Sequence, residues 1–165
     1  MNFLRCIRHA FAGDPAGTRF PPAALQAIQQ AVASGEHRHR GEICFAIEGA
    51  LHWRSALRGM TARQRAHEVF AQLRVWDTRE NTGVLVYVLL VEHAIEIVAD
   101  RGVSARIDDG QWNAICSALR DRFAKGEFHQ GAIAASDAIS DLLAAHFPVD
   151  GGVRVDELPD RPVLL

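Results

Sequence analysis

The 165-residue sequence predicts an α/β fold, a three-layer α/β/α sandwich around a small mixed β-sheet. Three observations carry that prediction. Val84 to Val91 is a nearly unbroken apolar run rich in valine and leucine, the pattern of a strand covered on both faces. Ala94 to Ala99 follows after a gap too short for a parallel crossover, so the two strands form an antiparallel hairpin. Upstream, Glu42 to Glu48 alternates as a third strand. The connection from it to Val84 is long enough to hold a helix, which predicts a parallel pair joined by a right-handed crossover.

The elements follow in order. Residues 1–20 show no steady periodicity and contain Gly13, Asp14, Pro15 and Gly17, so they are expected to form a loosely attached arm. Pro21 and Pro22 open a helix, because a proline in the first turn loses no hydrogen bond. Leu25, Ile28 and Val32 are its apolar stripe. It fades in His37, Arg38, His39 and Arg40, where histidines two apart point away from each other and suit a solvated basic end. In Glu42–Glu48, Ile43, Phe45 and Ile47 take one side and Cys44 and Ala46 the other.

A linker containing Trp53 runs to Gly59. Thr61 and Gln64 then make a capping box for a helix whose face is Ala62, Ala66, Val69, Phe70 and Leu73. In the second hairpin strand, Ile95, Ile97 and Ala99 oppose Glu96 and Val98. Asp108 or Asp109 caps a third helix, with Trp112, Ile115, Cys116, Leu119 and Phe123 at helical spacing and Gly126 as its stop. Phe128 to Phe147 forms a fourth, ended by Pro148. The closing GGVRVDELPDRPVLL is punctuated by glycine and proline and is expected to be a flexible tail. The expected organisation is an arm over 1–20, one domain over 21–148 and a tail over 149–165.

Hydrophobic residues make up 48% of the chain, which excludes a disordered polypeptide. With 18 basic and 20 acidic residues the net charge is −2, which argues against nucleic acid as a partner. Cys6, Cys44 and Cys116 have neither metal-ligand spacing nor a redox pairing, and the last two fall in apolar patterns as core residues. Arg5, Arg8 and His9 break Met1–Phe11, so it lacks a secretory h-region. No apolar run approaches the roughly 20 residues a transmembrane helix needs. A cytoplasmic location is the default expectation.

The sequence contains no phosphate-binding glycine loop, nucleophile elbow or zinc-type spacing. What remains is the polar end of the hairpin. A hairpin brings the residues before its first strand close to those after its second, here Asp77, Glu80 and Asn81 on one side and Asp100 on the other. Carboxylates and amide carbonyls, with Thr78 nearby, are the ligands a hard cation such as calcium takes. The competing reading is that Asp77 or Asn81 caps the turn while Asp100 pairs with Arg101 or Arg79.

The stretch VWDTRENTGVLVYVLLVEHAIEIVADRG, then Trp112 and FAKGEFHQGAIAASDAISDLLAAHFP, resembles the TPM-domain family from about residue 22 to Pro148. That family includes a thylakoid-lumen protein of photosystem II repair and many bacterial relatives. The marks are Asn81-x-Gly83 entering the buried strand, Gly102 just past the second strand, and the spacing of Phe123, Gly126, Phe128 and Gly131. The closing ELPDRP resembles the compact, soluble bacterial branch. The resemblance implies an α/β/α sandwich, calcium at the loops of one sheet end, and the phosphatase activity proposed for plant members. Thr82 stands where family members usually have a second asparagine, and Ser104 where long members carry a glutamate. The expected function is a binding or accessory module, acting with an unknown protein partner near the cell envelope and holding a weak calcium site. The alternative is a metal-assisted acid phosphatase, with Asp77 and Asp100 holding the cation.

Overall fold

A computed structural model describes residues 3–151 and 156–165. The chain runs α1 (Phe3–Ala10), α2 (Pro15–Arg19), α3 (Pro22–Glu36), β1 (Glu42–Glu48), α4 (Trp53–Leu57), α5 (Ala62–Gln72), β2 (Gly83–Leu89) and β3 (Ala94–Ala99). Then follow α6 (Arg101–Ser104), α7 (Asp109–Ala124), α8 (Phe128–His146) and β4 (Val163–Leu164). The sheet order is β3-β2-β1-β4. β1 and β2 are parallel, with Glu42 opposite Gly83 and Glu48 opposite Leu89. β2 and β3 are antiparallel, with Val84 opposite Ala99 and Leu89 opposite Ala94. This is the mixed sheet the sequence predicts.

Every residue of β1 and β2 is buried. Ile43, Phe45, Ile47, Val84, Val86, Val88, Ile95 and Ile97 pack with residues of α3, α7 and α8. Cys44, Ala46, Leu85, Tyr87, Leu89 and Val98 pack on the other face with residues of α4 and α5. The period of two along each strand thus feeds two separate cores, which is why neither strand shows a polar side. The capping box at α5 forms as expected, with Thr61 Oγ1 accepting the Gln64 N–H and Gln64 Oε1 the Thr61 N–H. Asp108 caps α7 through the N–H groups of Gly110 and Gln111.

Residues 3–20 are not a loose arm. α1 is tied down by Arg5, whose guanidinium bonds Glu92 at 2.5 Å and the carbonyls of Ala56 and Met60 at 3.2 and 2.6 Å. His9 is buried; its Nδ1 accepts the Leu51 N–H at 3.1 Å and its Nε2 lies 2.7 Å from Glu92. Asp14 caps α2, and the ring of Phe20 lies 6.0 and 5.9 Å from those of Phe123 and Phe128. α2 is too short for a periodic stripe to register, and α1 is held by polar groups distant in sequence rather than by an apolar face turned to the core.

The described part of the tail also differs from expectation. Val163 and Leu164 pair parallel with Ala46 and Ile47, and Leu165 donates its N–H to the Ile47 carbonyl at 3.0 Å. Leu158 is buried in the α4–α5 core. A two-residue strand carries no alternation, so only the open edge of β1 specifies it. His39, expected in a solvated basic run, is fully buried and forms an isolated bridge with Pro148.

Burial pushes the Glu92 carboxyl upward, but hydrogen bonds from Arg5 and His9 and their charges outweigh it and hold Glu92 below its ordinary value. A carboxyl whose pKa is lowered on folding stabilises above its unfolded pKa, and the gain is lost as pH falls through the folded one. α1 therefore loosens from the body on acidification below the ordinary carboxylate range. Hydrogen exchange of the α1 amides should rise there, and Glu92→Gln should expose them at neutral pH. Val88→Ala, at a site 2% exposed, should cost about 2 kcal/mol in denaturant unfolding through lost transfer energy and a cavity. Deleting residues 156–165 should lower the melting temperature, because it uncovers the edge of β1 and removes Leu158; an unchanged melt would mean the tail does not dock.

Candidate functional site

The turn leading into β2 is built by its own polar side chains. Thr78 is buried, and its Oγ1 accepts the Thr82 N–H at 2.9 Å. The Asn81 N–H bonds the Thr78 carbonyl at 3.1 Å, and Asn81 sits in the left-handed region at φ 56°. Asparagine tolerates that conformation better than most residues do. The Thr82 hydroxyl donates to the Arg40 carbonyl at 3.0 Å, tying the turn to the entry of β1. Gly83 follows because a Cβ there would stand 1.9 Å from the Val75 carbonyl oxygen.

Asp100 stands across the sheet end. Its N–H bonds the Gly83 carbonyl at 2.8 Å, continuing the β2–β3 ladder by one residue. Its Oδ1 accepts the Arg101 N–H at 2.7 Å and caps α6. Its Oδ2 is buried and has no hydrogen-bond partner among the described residues. At Gly102 a Cβ would lie 2.5 Å from the carbonyl oxygen of Asn81 and 3.1 Å from that of Glu80, so the turn presses its carbonyls onto the first turn of α6.

The structure thus brings the Glu80–Asn81 backbone and Asp100 together around Gly102. The side chains are less convergent. Glu80 turns to Arg40 at 3.1 Å, and Asn81 Oδ1 accepts weakly from Arg101 at 3.4 Å. Asp77 is exposed and lies 4.0 Å from Arg74. Asp100 pairs with the backbone of Arg101 rather than with a guanidinium, while Arg79 gives its N–H to Glu157 of the tail at 3.0 Å.

The one gathering of three potential metal-binding side chains within 4.8 Å among the described residues is Glu36, Glu42 and Asp156. Glu36 also accepts the Ile43 N–H at 2.7 Å, holding the first turn of β1 in place. These residues come from α3, β1 and the tail, so no spacing in the sequence announces them. Gly102 is the signal that marks the Asp100 site at the same end of the sheet: a glycine two residues past a capping aspartate, where a close backbone approach leaves no room for a side chain.

Candidate nucleophiles are spent elsewhere. Burial, and secondarily the charge of Glu36, pushes the Cys44 thiol up to about 12. Burial raises Cys116 as well. Burial and then its hydrogen bond to Glu48 push the Tyr87 phenol upward, so it stays protonated and donates to Glu48 Oε2 at 2.6 Å. Ser104 donates its hydroxyl to the Ala99 carbonyl at 3.1 Å.

A sequence model of the TPM domain matches residues 14–142, a span that takes in α2 as well as the sheet. The NMR structure of the BA42 protein from the psychrophilic bacterium Bizionia argentinensis superposes with a TM-score of 0.76 at 26% identity. The superposition covers 87% of this chain and 93% of that one. No curated protein sequence matches. The Asn81-x-Gly83 entry to a doubly buried strand, the capping Asp100 and the α/β/α layering therefore stand in a chain that belongs to the TPM-domain family.

Proposed function

We propose that this protein is a binding module that takes a hard divalent cation, calcium above all, at the sheet end formed by Asp77, Glu80, Asn81 and Asp100. The observation that carries the reading is the buried Oδ2 of Asp100, which has no hydrogen-bond partner among the described residues. A buried carboxylate oxygen without a partner is costly, and a cation relieves that cost. The pressed carbonyls of Glu80 and Asn81 are the neutral oxygens such an ion accepts beside a carboxylate. Asp100, those carbonyls and the Asn81 amide oxygen would hold the ion. The carboxylates of Glu80 and Asp77 would add to them once freed from Arg40 and Arg74.

Binding is weak on this reading, because Arg40 and Arg101 compete for the same oxygens and Thr82 spends its hydroxyl on the Arg40 carbonyl. The module works with a protein partner rather than on a substrate. A phosphatase built on the same cation would need a nucleophile beside it. Ser104, the hydroxyl nearest in sequence to Asp100, is engaged by Ala99, and both buried thiols are held protonated.

Calcium at a hundredfold over its Kd should stabilise the fold by about 2.7 kcal/mol, since only the folded chain assembles the ligands. Asp100→Asn retains a capping oxygen but removes the charge, so it should abolish the calcium-dependent rise in melting temperature without unfolding the protein. Identical melts of the unmutated protein in calcium, magnesium and chelator would overturn the cation site. Hydrolysis of a chromogenic phosphomonoester that requires the cation and is lost in Asp100→Asn would establish the phosphatase instead.

A further inference from the structure

α1 is turned inside out. Leu4 and Ile7, with Phe11 in the turn that continues the helix through its N–H bond to the Ile7 carbonyl, stand at i, i+3 and i+7 and make one apolar stripe, and it faces solvent: Leu4 is 82% exposed, Ile7 39% and Phe11 84%. The opposite side of the helix, carrying Arg5 and His9, faces the body, where Glu92, Leu51, Ala56 and Met60 receive it. α4 packs beside α1, with the thiol of Cys6 bonded to the Trp53 carbonyl, and α4 exposes Trp53 and Leu57 in turn. Four of the large exposed apolar side chains therefore lie on two adjoining helices, with Phe11 just past the end of the first, which marks an interaction surface rather than scattered surface hydrophobes.

The charge around this surface has one sign. Residues 1–13 and 49–67 contain no aspartate or glutamate. Arg8, Arg54 and Arg58 are exposed, and the charged groups of the neighbouring segments leave them without an ion pair among the described residues. Arg54 stacks over the Trp53 ring at 5.2 Å. The nearby carboxylates are already used: Glu92 by Arg5 and His9, and Asp14 by the cap of α2.

We infer that the α1–α4 face docks on the surface of an anionic lipid bilayer, with the apolar stripe sunk among the headgroups and the arginines on their phosphates. Protruding aliphatic and aromatic side chains beside unpaired arginines are what an interfacial helix presents to such a surface. Leu4 and Phe11 are knobs, and a fluid bilayer moulds to knobs where a rigid partner needs matching holes. A second copy is disfavoured because a two-fold contact would bring Arg8, Arg54 and Arg58 against their own images. The association is peripheral, since no described helix is long and apolar enough to cross a membrane.

The test is co-sedimentation of the full chain with vesicles of phosphatidylcholine alone or mixed equally with phosphatidylglycerol, at low and high salt. The chain should pellet with the anionic vesicles and not the neutral ones, and added salt should release it. Trp53 emission should shift to the blue on binding. Leu4→Glu and Phe11→Glu should abolish pelleting while leaving the thermal melt unchanged, since both sites are exposed. Arg8→Gln with Arg58→Gln should weaken binding about tenfold or more. Equal binding to both vesicle types, no binding to either, or variants that bind like the unmutated chain would each overturn the inference. So would a concentration-dependent dimer in sedimentation velocity that Phe11→Glu dissociates, which would assign the face to a second copy.

Discussion

The parallel pairing of Glu42–Glu48 with Gly83–Leu89 is the constraint on which the molecule depends. Both strands are buried throughout, so each side chain must find its place in one of two helical layers. A slip of one residue would exchange the two sets of side chains and press Tyr87 and the glutamates into the wrong core. The crossover through α4 and α5 covers one face, and α3, α7 and α8 cover the other. The antiparallel addition of β3 then carries Asp100 back beside the entrance to β2.

Burying a strand to its ends raises a problem wherever the end residue is charged, because a buried carboxylate needs partners. At the end of β1, Glu48 is met by the Tyr87 hydroxyl and by Arg65 from α5 at 2.9 Å. Past the end of β2, Glu92 is met by Arg5 and His9 of α1. Both clusters join elements distant in sequence, and both are complete. At the opposite end of the sheet, Asp100 has one oxygen satisfied and one not. That difference separates a structural polar cluster from a candidate ligand site within one small sheet.

The same contrast bears on the N-terminal segment. Its polar groups are drawn inward to serve Glu92 and the loops after β1 and α4, which leaves its apolar stripe outside. The orientation of α1 is thus set by the pairing of the half-buried Glu92, not by the usual sorting of hydrophobic residues toward the core. The α1 face and the Asp100 turn therefore lie at opposite ends of the sheet.

Local pattern determined the layers of this protein. The valine-rich run, the short hairpin gap, the Thr61–Gln64 capping box and the stripes of α3, α7 and α8 each state their structure within a few residues, because periodicity and capping are local physics. The residue types at the sheet end, and their approach through the hairpin, were legible for the same reason. Tertiary structure alone decided what those side chains do: that Glu80 turns to Arg40, that Asp100 caps α6 with one oxygen and buries the other, and that Asp77 stays exposed. It alone decided that residues 3–20 and the last residues belong to the body. Their anchors are single contacts across long sequence separations, Arg5 and His9 to Glu92 and Val163 to the edge of β1, and no repeating pattern along the chain records a partner that only folding supplies.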